Sequence, residues 1–211
     1  MGIRIIIKNT AVLLVAILLG NSCNKQPAIC SKMGYEFTYS KPGTTYSPGI
    51  DSIPLGNQII IEASAPKSFF DEGKQYNVTL HESAILGPLG IQKLTNDPIT
   101  PRIGAIEDVD LIALEGSLLK DTIQFSQEQL KGFRTTYWIS KSDSFKLKVI
   151  VKPKIKGTFI IILNQQGNRD KECALYKYFL NVINTNQHLY FLEPLYGYIP
   201  VDNRAYCFKV Y

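Results

Sequence analysis

Phe145-Lys146-Leu147-Lys148-Val149-Ile150-Val151-Lys152 is the stretch on which the fold turns. Phe145, Leu147, Val149 and Val151 alternate with Lys146, Lys148, Ile150 and Lys152. A period of two puts the first set on one face of a strand and the second on the other, so one face enters a core and the other meets water. Pro153 to Gly157 supplies a turn. Thr158-Phe-Ile-Ile-Ile-Leu163 then reads as a central strand covered on both faces.

Moving outward, Tyr35, Phe37 and Tyr39 alternate with Glu36, Thr38 and Ser40, a half-buried strand. Lys41 to Gly56 carries Pro42, Gly43, Pro48, Gly49, Pro54 and Gly56, which predicts loop and turn. Gln58 to Ser64 is a β-branched run, and Tyr76, Val78 and Leu80 alternate in a further strand. Residues 83–105 are punctuated by Gly87-Pro88, Gly90, Asp97-Pro98, Pro101 and Gly104, which predicts a long irregular insertion, packed over the core or functional. Strands resume at Val109 to Glu115, Thr122 to Ser126 and Thr135 to Ser140. Cys173 to Ile183 is open between helix and strand, and Tyr206, Phe208 and Val210 mark a terminal strand. Many short strands, frequent Gly/Pro turns, little helix and no βαβ alternation predict a mainly β chain: an antiparallel sandwich in one domain, residues 33–211.

The 211 residues are 45% hydrophobic, enough for one sizeable core. A net charge of +5, from 23 basic and 18 acidic residues, does not indicate nucleic-acid binding. Arg4 and Lys8 precede the apolar stretch Ala11 to Leu19, followed by Gly20, Asn21, Ser22 and Cys23. That order predicts a signal peptide over residues 1–22, and the apolar stretch is too short for a membrane span. The exit onto Cys23 resembles a bacterial lipoprotein signal, although Gly20 stands where that family usually places Leu. The resemblance implies a diacylated Cys23 and a lipidated tether over residues 23–32. Ordinary cleavage after Ser22, leaving a free thiol, is the alternative reading.

With Cys23 lipidated, Cys30, Cys173 and Cys207 remain in an oxidising compartment. One disulfide is expected, Cys173–Cys207 or Cys30–Cys207. Neither C-x-x-C nor H-x-x-x-H occurs, and the two His lie 107 residues apart, so no metal or other cofactor is indicated. His81-Glu82-Ser83 are strand neighbours that point to opposite faces and do not form a triad. Cys173 with His188 reads as structural, and Asp108 and Asp110 make a poor calcium cage. No Gly-rich phosphate loop, G-x-S-x-G or H-E-x-x-H is present.

Two surfaces are candidates for binding. Lys146, Lys148 and Lys152 share a strand face, which suits anionic glycans or phosphate-bearing headgroups. Equally, it reads as a solvated outer face or as lysines guarding an edge strand. Ten aromatics crowd residues 176–211. Most belong to a core; Tyr190, Tyr196 and Tyr198, in or beside the turn-rich stretch Leu189 to Pro200, are the candidate surface contacts.

The Tyr35-x-Phe37 pair, the run Asp51-Ser-Ile-Pro-Leu-Gly-Asn-Gln-Ile-Ile-Ile61, and Phe145-x-Leu147 with Gly157-Thr158-Phe159 resemble bacterial immunoglobulin-like envelope modules. With the lipoprotein-like start, the chain is similar to the lipoproteins common in Bacteroidota. The resemblance implies an immunoglobulin-like β-sandwich and an outer-membrane envelope location, and no activity. Asp51-Ser52-Ile53 and Asp121-Thr122-Ile123 also resemble the O-glycosylation acceptor of that group. The expected function is therefore a non-catalytic envelope lipoprotein, a binding or assembly module whose partners are the membrane, through its anchor, and envelope proteins or glycans. A surface glycan-binding accessory is the alternative, and a hydrolase without a recognisable motif is third.

Overall fold

Alternating burial along the chain shows why its segments become strands. In Ser144–Pro153, Phe145, Leu147, Val149 and Val151 are buried while Lys146 and Lys152 are exposed, as the period-two pattern requires. In Gly157–Leu163, Phe159, Ile160 and Ile161 are all buried, so this strand is covered on both faces as predicted.

The computed structural model describes residues 36–80, 85–97, 99–100, 102–119, 126, 130–163, 166–169, 174–184 and 205–211. All of these lie in one compact unit, residues 34–211. Their strands are β1 Glu36–Ser47, β2 Ser52–Ile53, β3 Ile59–Pro66, β4 Ser68–Asp71, β5 Tyr76–Thr79, β6 Ile85–Leu94, β7 Arg102–Gly104, β8 Val109–Glu115, β9 Ser117–Leu119, β10 Phe133–Ser140, β11 Ser144–Pro153, β12 Gly157–Leu163, β13 Gln166–Arg169, β14 Leu175–Val182 and β15 Ala205–Val210. A short 3₁₀ turn spans Ile106–Asp108.

The fold is mainly β, a curled sandwich. Thirteen of these strands join one sheet, in the order β2-β15-β12-β6-β13-β14-β1-β3-β11-β10-β9, with β7 on β6 and β8 on β11. A further pairing of β6 with β10 brings the path from β6 through β13, β14, β1, β3, β11 and β10 back to its start. The curl encloses Tyr46, Ile61, Ile85, Leu89, Trp138, Phe145, Val149, Phe159, Tyr176, Tyr178 and Phe208 in one core. Tyr46 and Tyr206 stack at 4.4 Å with rings 4° from parallel. The β4–β5 hairpin packs against β1, where Tyr76 meets Phe37 edge-on at 5.8 Å.

Three expectations are corrected. Residues 83–105 do not form a long irregular insertion: Ile85–Leu94 is a ten-residue strand inside the sheet, and Arg102–Gly104 pairs back onto it. Lys41 to Gly56 is not all loop, because β1 continues through Pro42 and Gly43 to Ser47, absorbing them in a bulge between Pro42 and Thr44. The sheet is not wholly antiparallel either, since β1 pairs β14 and β15 pairs β2 in parallel. Within the open stretch Cys173 to Ile183, Leu175–Val182 is strand β14, with Tyr176, Tyr178, Leu180 and Val182 turned inward.

Candidate functional site

Strands β1 and β3 pair only over part of their length. Thr44 to Ser47 face Ala63 to Ile60, whereas Glu36 to Pro42 pair only with β14, on the opposite edge of β1. Gly43 marks the parting. A Cβ there would stand 2.7 Å from the Ser64 carbonyl oxygen and 2.9 Å from Leu180, so only glycine passes. Beyond it the strands diverge and leave a cleft of about 720 Å³ on the outer face of β1, β3 and β11.

Tyr39, half-buried, lines the cleft, and its ring packs on Phe69 and Tyr178 at 5.4 and 5.6 Å. Burial raises the Tyr39 hydroxyl above the ordinary phenol range. Pro66 closes one end. Its nitrogen carries no donor, and its carbonyl accepts a 2.8 Å hydrogen bond from the Tyr178 hydroxyl. Thr45, Ser64, Glu62, Lys146 and Lys148 complete the walls, with Asp143 at the β10–β11 turn.

The sequence reading placed Lys146, Lys148 and Lys152 on one face, and the structure puts all three on the outward side of β11. One part of that reading changes. β11 is not an edge strand: β3 pairs it on one side, and β10 and β8 on the other, so its lysines guard no edge. Neighbouring strands also bring counter-charges to the face. Lys148 reaches Glu62 at 2.5 Å and lies in register with Glu115 on β8, which Lys141 approaches at 4.0 Å. Lys152 is in register with Asp110, which also meets Lys154 at 3.8 Å. These are exposed pairs, each worth about 0–1 kcal/mol. The contacts set Glu62, Glu115 and Asp110 against Lys148, Lys141 and Lys154, and among the described residues Lys146 and Lys152 form no ion pair within 4 Å, so the pull on anions is reduced and a positive excess remains. Sequence reasoning missed Glu62, Glu115 and Asp110 as partners because register between distant strands is not a local signal.

Among the described residues, Lys146 forms no ion pair within 4 Å, and it stands in the cleft. Asp110 lies on the ion-paired strand face, and among the described residues no three His, Cys, Asp or Glu side chains gather.

Cys207 is a buried free thiol on β15, in a second cluster with Ile160 and Ala205 on the other face of the sheet. Its predicted partners Cys30 and Cys173 lie outside the described residues. So do the signal peptide, Cys23 and the tether, Tyr190, Tyr196 and Tyr198, His81, Glu82, Ser83 and His188, and the Asp121-Thr122-Ile123 motif.

Burial pushes the Cys207 thiol up to about 12, against an opposing pull from Arg102. An unfolded thiol titrates at about 8.5. As pH rises the unfolded state therefore loses its proton first, so the contribution is full below about pH 8.5 and is lost on the way to the folded value. Under reducing conditions, the stability advantage of the wild type over Cys207→Ala should shrink by about 1.4 kcal/mol per pH unit through that window. Tyr178, also raised by burial, titrates in both proteins and cancels. Urea midpoints at pH 8, 9.5 and 10.5 measure it; a constant difference would mean the thiol is not buried.

No protein-family model matches the sequence, and no curated protein matches it. Among solved structures, similar chains include a non-cellulosomal cohesin from the hyperthermophilic archaeon Archaeoglobus fulgidus, at 12% identity and TM-score 0.26, over 65% of this chain and 91% of that one. PbICP-C, in complex with falcipain-2, is 11% identical with TM-score 0.21, over 72% of this chain and 92% of that one. The CupB6 tip adhesin of Pseudomonas aeruginosa is 7% identical with TM-score 0.24, over 72% of this chain and 42% of that one. Likeness at this level carries no argument about function.

Proposed function

We propose that the protein is a non-catalytic binding module of the bacterial outer membrane, anchored by acyl chains on Cys23, that holds its ligand in the cleft between β1 and β3. The observation that carries this reading is the cleft itself. It opens in the wall of a closed sheet beside Gly43 and Pro66, whose carbonyl the Tyr178 hydroxyl holds, with hydroxyl and charged groups lining it. A preformed concavity with a few polar groups is the usual form of a ligand site.

Two measurements test the parts separately. The intact mass of the protein from native membranes should lack residues 1–22 and carry acyl chains; a chain retaining residues 1–22 would remove the lipoprotein frame. A photo-reactive phenylalanine derivative placed at Ser64 in living cells should form an adduct with an envelope component, while the same residue at the exposed Asn77, on the β4–β5 hairpin, should not. Equal or absent adducts at both positions would remove the cleft as the binding site.

A further inference from the structure

Among the described residues, β8 pairs with β11 alone. The Lys154 N–H donates to the Asp108 carbonyl at 2.9 Å, and backbone direction alternates along a strand, so Asp110 and Ile112 also turn their backbone groups to β11. Leu111 and Ala113 turn theirs to the other edge. Among the described residues no strand pairs there, and no other hydrogen bond reaches Leu111 or Ala113. We infer that a second copy of the chain docks on this edge, β8 against β8, antiparallel about a two-fold axis at Ile112.

A monomer has to guard a bare edge against its own copies, with lysine, proline or a very short strand. The bare edge of β1 is guarded in that way. It carries Lys41 and Pro42, and its Thr38 N–H is taken by the Asp71 carboxylate at 3.4 Å. In contrast, Val109–Glu115 has seven residues and holds neither lysine nor proline. Its bulge falls at Leu114, beyond the residues that pair with the copy. Every molecule of the protein presents the same unguarded edge to every other, which makes a copy its natural partner.

The spacing of the edge is self-complementary. With Ile112 opposite Ile112 of the copy, Leu111 falls opposite Ala113 and Ala113 opposite Leu111. Both pairs then exchange N–H and C=O, since these are the residues whose backbone groups point off the sheet. Asp110 falls opposite Leu114, so no like charges stand directly opposite. The same register covers apolar surface. Ile60, Ile150 and Ile112 stand side by side across β3, β11 and β8 on the outer face, and the last, at the edge, is 49% exposed. A copy continues this row through its own Ile112, Ile150 and Ile60, and brings its Ile112 diagonal to Leu114, which is 51% exposed.

Oxidative cross-linking of the full chain in living cells, read on non-reducing gels, tests the register. Opposed residues of a non-hydrogen-bonded antiparallel pair have Cα atoms about 4.5 Å apart, within reach of a disulfide. Ile112→Cys should give a linked dimer well above the wild-type background. Leu114→Cys, which faces position 110 of the copy, and Ile183→Cys, exposed on another strand end, should not. Sedimentation of the purified protein in detergent then measures the association. Ile112→Lys, which places a guarding charge on an exposed position, should weaken the dimer about tenfold or more. Ala113→Pro, which deletes an N–H pointing off the sheet at a position where an edge strand tolerates proline, should do the same. Ile183→Lys should stay within about twofold, as expected of a surface change outside the contact. Circular dichroism of each variant confirms folding.

Three results overturn the inference: a wild-type chain that sediments as a monomer at every concentration, a dimer indifferent to both Ile112→Lys and Ala113→Pro, or cross-linking at Leu114 equal to that at Ile112.

Discussion

Trp138→Ala is expected to lower the folding free energy by about 3–5 kcal/mol, the range for a fully buried aromatic truncated in a core. Trp138 is the only tryptophan and is wholly buried on β10. Its indole N–H donates to the Thr136 hydroxyl at 3.0 Å, and that hydroxyl donates to the Gly87 carbonyl at 2.9 Å. The relay ties β10 to β6, the pairing that closes the sheet on itself. Truncation therefore empties volume and removes one link of a buried polar chain at the seam. Trp138→Phe keeps most of the ring and removes only the donor, and should cost about 1–2 kcal/mol. Urea denaturation followed by circular dichroism reads both, since the fluorescence probe is lost. For a domain of this size the alanine variant should melt about 10 °C lower or more. A loss under about 1 kcal/mol for Trp138→Ala would mean the seam is not packed as the core requires.

What was legible in the sequence, and what was not, divides along the same seam. β11 and β12 could be read because their signals are local: alternation in one, an apolar run between turns in the other. β6 misled because Gly87, Pro88 and Gly90 are turn residues by local chemistry. Each has a non-local reason to sit in a strand. The Gly87 carbonyl receives the Thr136 hydroxyl, and the Phe133 ring lies over Gly90, within 2.8 Å of where a Cβ would be. Pro88 faces Thr135 on one edge, and on the other it falls between the pairing with β13 at Leu86 and that with β12 from Leu89, a gap where a missing N–H is tolerated.

The candidate site was half legible for a related reason. The lysines of β11 announced themselves by spacing. Whether they made a basic field depended on which strands came to lie beside them, and Glu62, Glu115 and Asp110 come from two other strands. The cleft left no motif at all. It arises because β1, held on β14 along one edge from Glu36 to Thr44, meets β3 along its other edge only from Thr44 to Ser47, and how far two strands stay paired is a property of the assembled sheet. By local chemistry Gly43 is punctuation; in the sheet it sits in the bulge of a strand that continues through it.

Gly116→Ala should be as damaging as the loss of a core side chain, although it adds only a methyl. Gly116 stands between β8 and β9, where the chain stops pairing with β11 and starts pairing with β10. Its φ is +82°, a region that costs an L-residue about 1–2 kcal/mol. A Cβ would also lie 2.5 Å from the Tyr137 carbonyl oxygen and 2.9 Å from the buried Leu147 side chain, so backbone has to move. Overpacking of that kind adds about 1–3 kcal/mol, and we expect a total near 3–4 kcal/mol. Gly56→Ala is the matched control. Its φ is +98°, but nothing lies within 4 Å of the new Cβ, so only the backbone cost should appear. Chemical denaturation of the two variants beside the wild type separates conformation from contact. Equal losses would show that φ alone sets the cost and that β8, β9 and β10 can relax away from the methyl. A larger loss at Gly116 would show that the switch of partner between β11 and β10 is rigid, as a closed sheet demands, because a strand paired on both sides cannot shift without breaking one of its ladders.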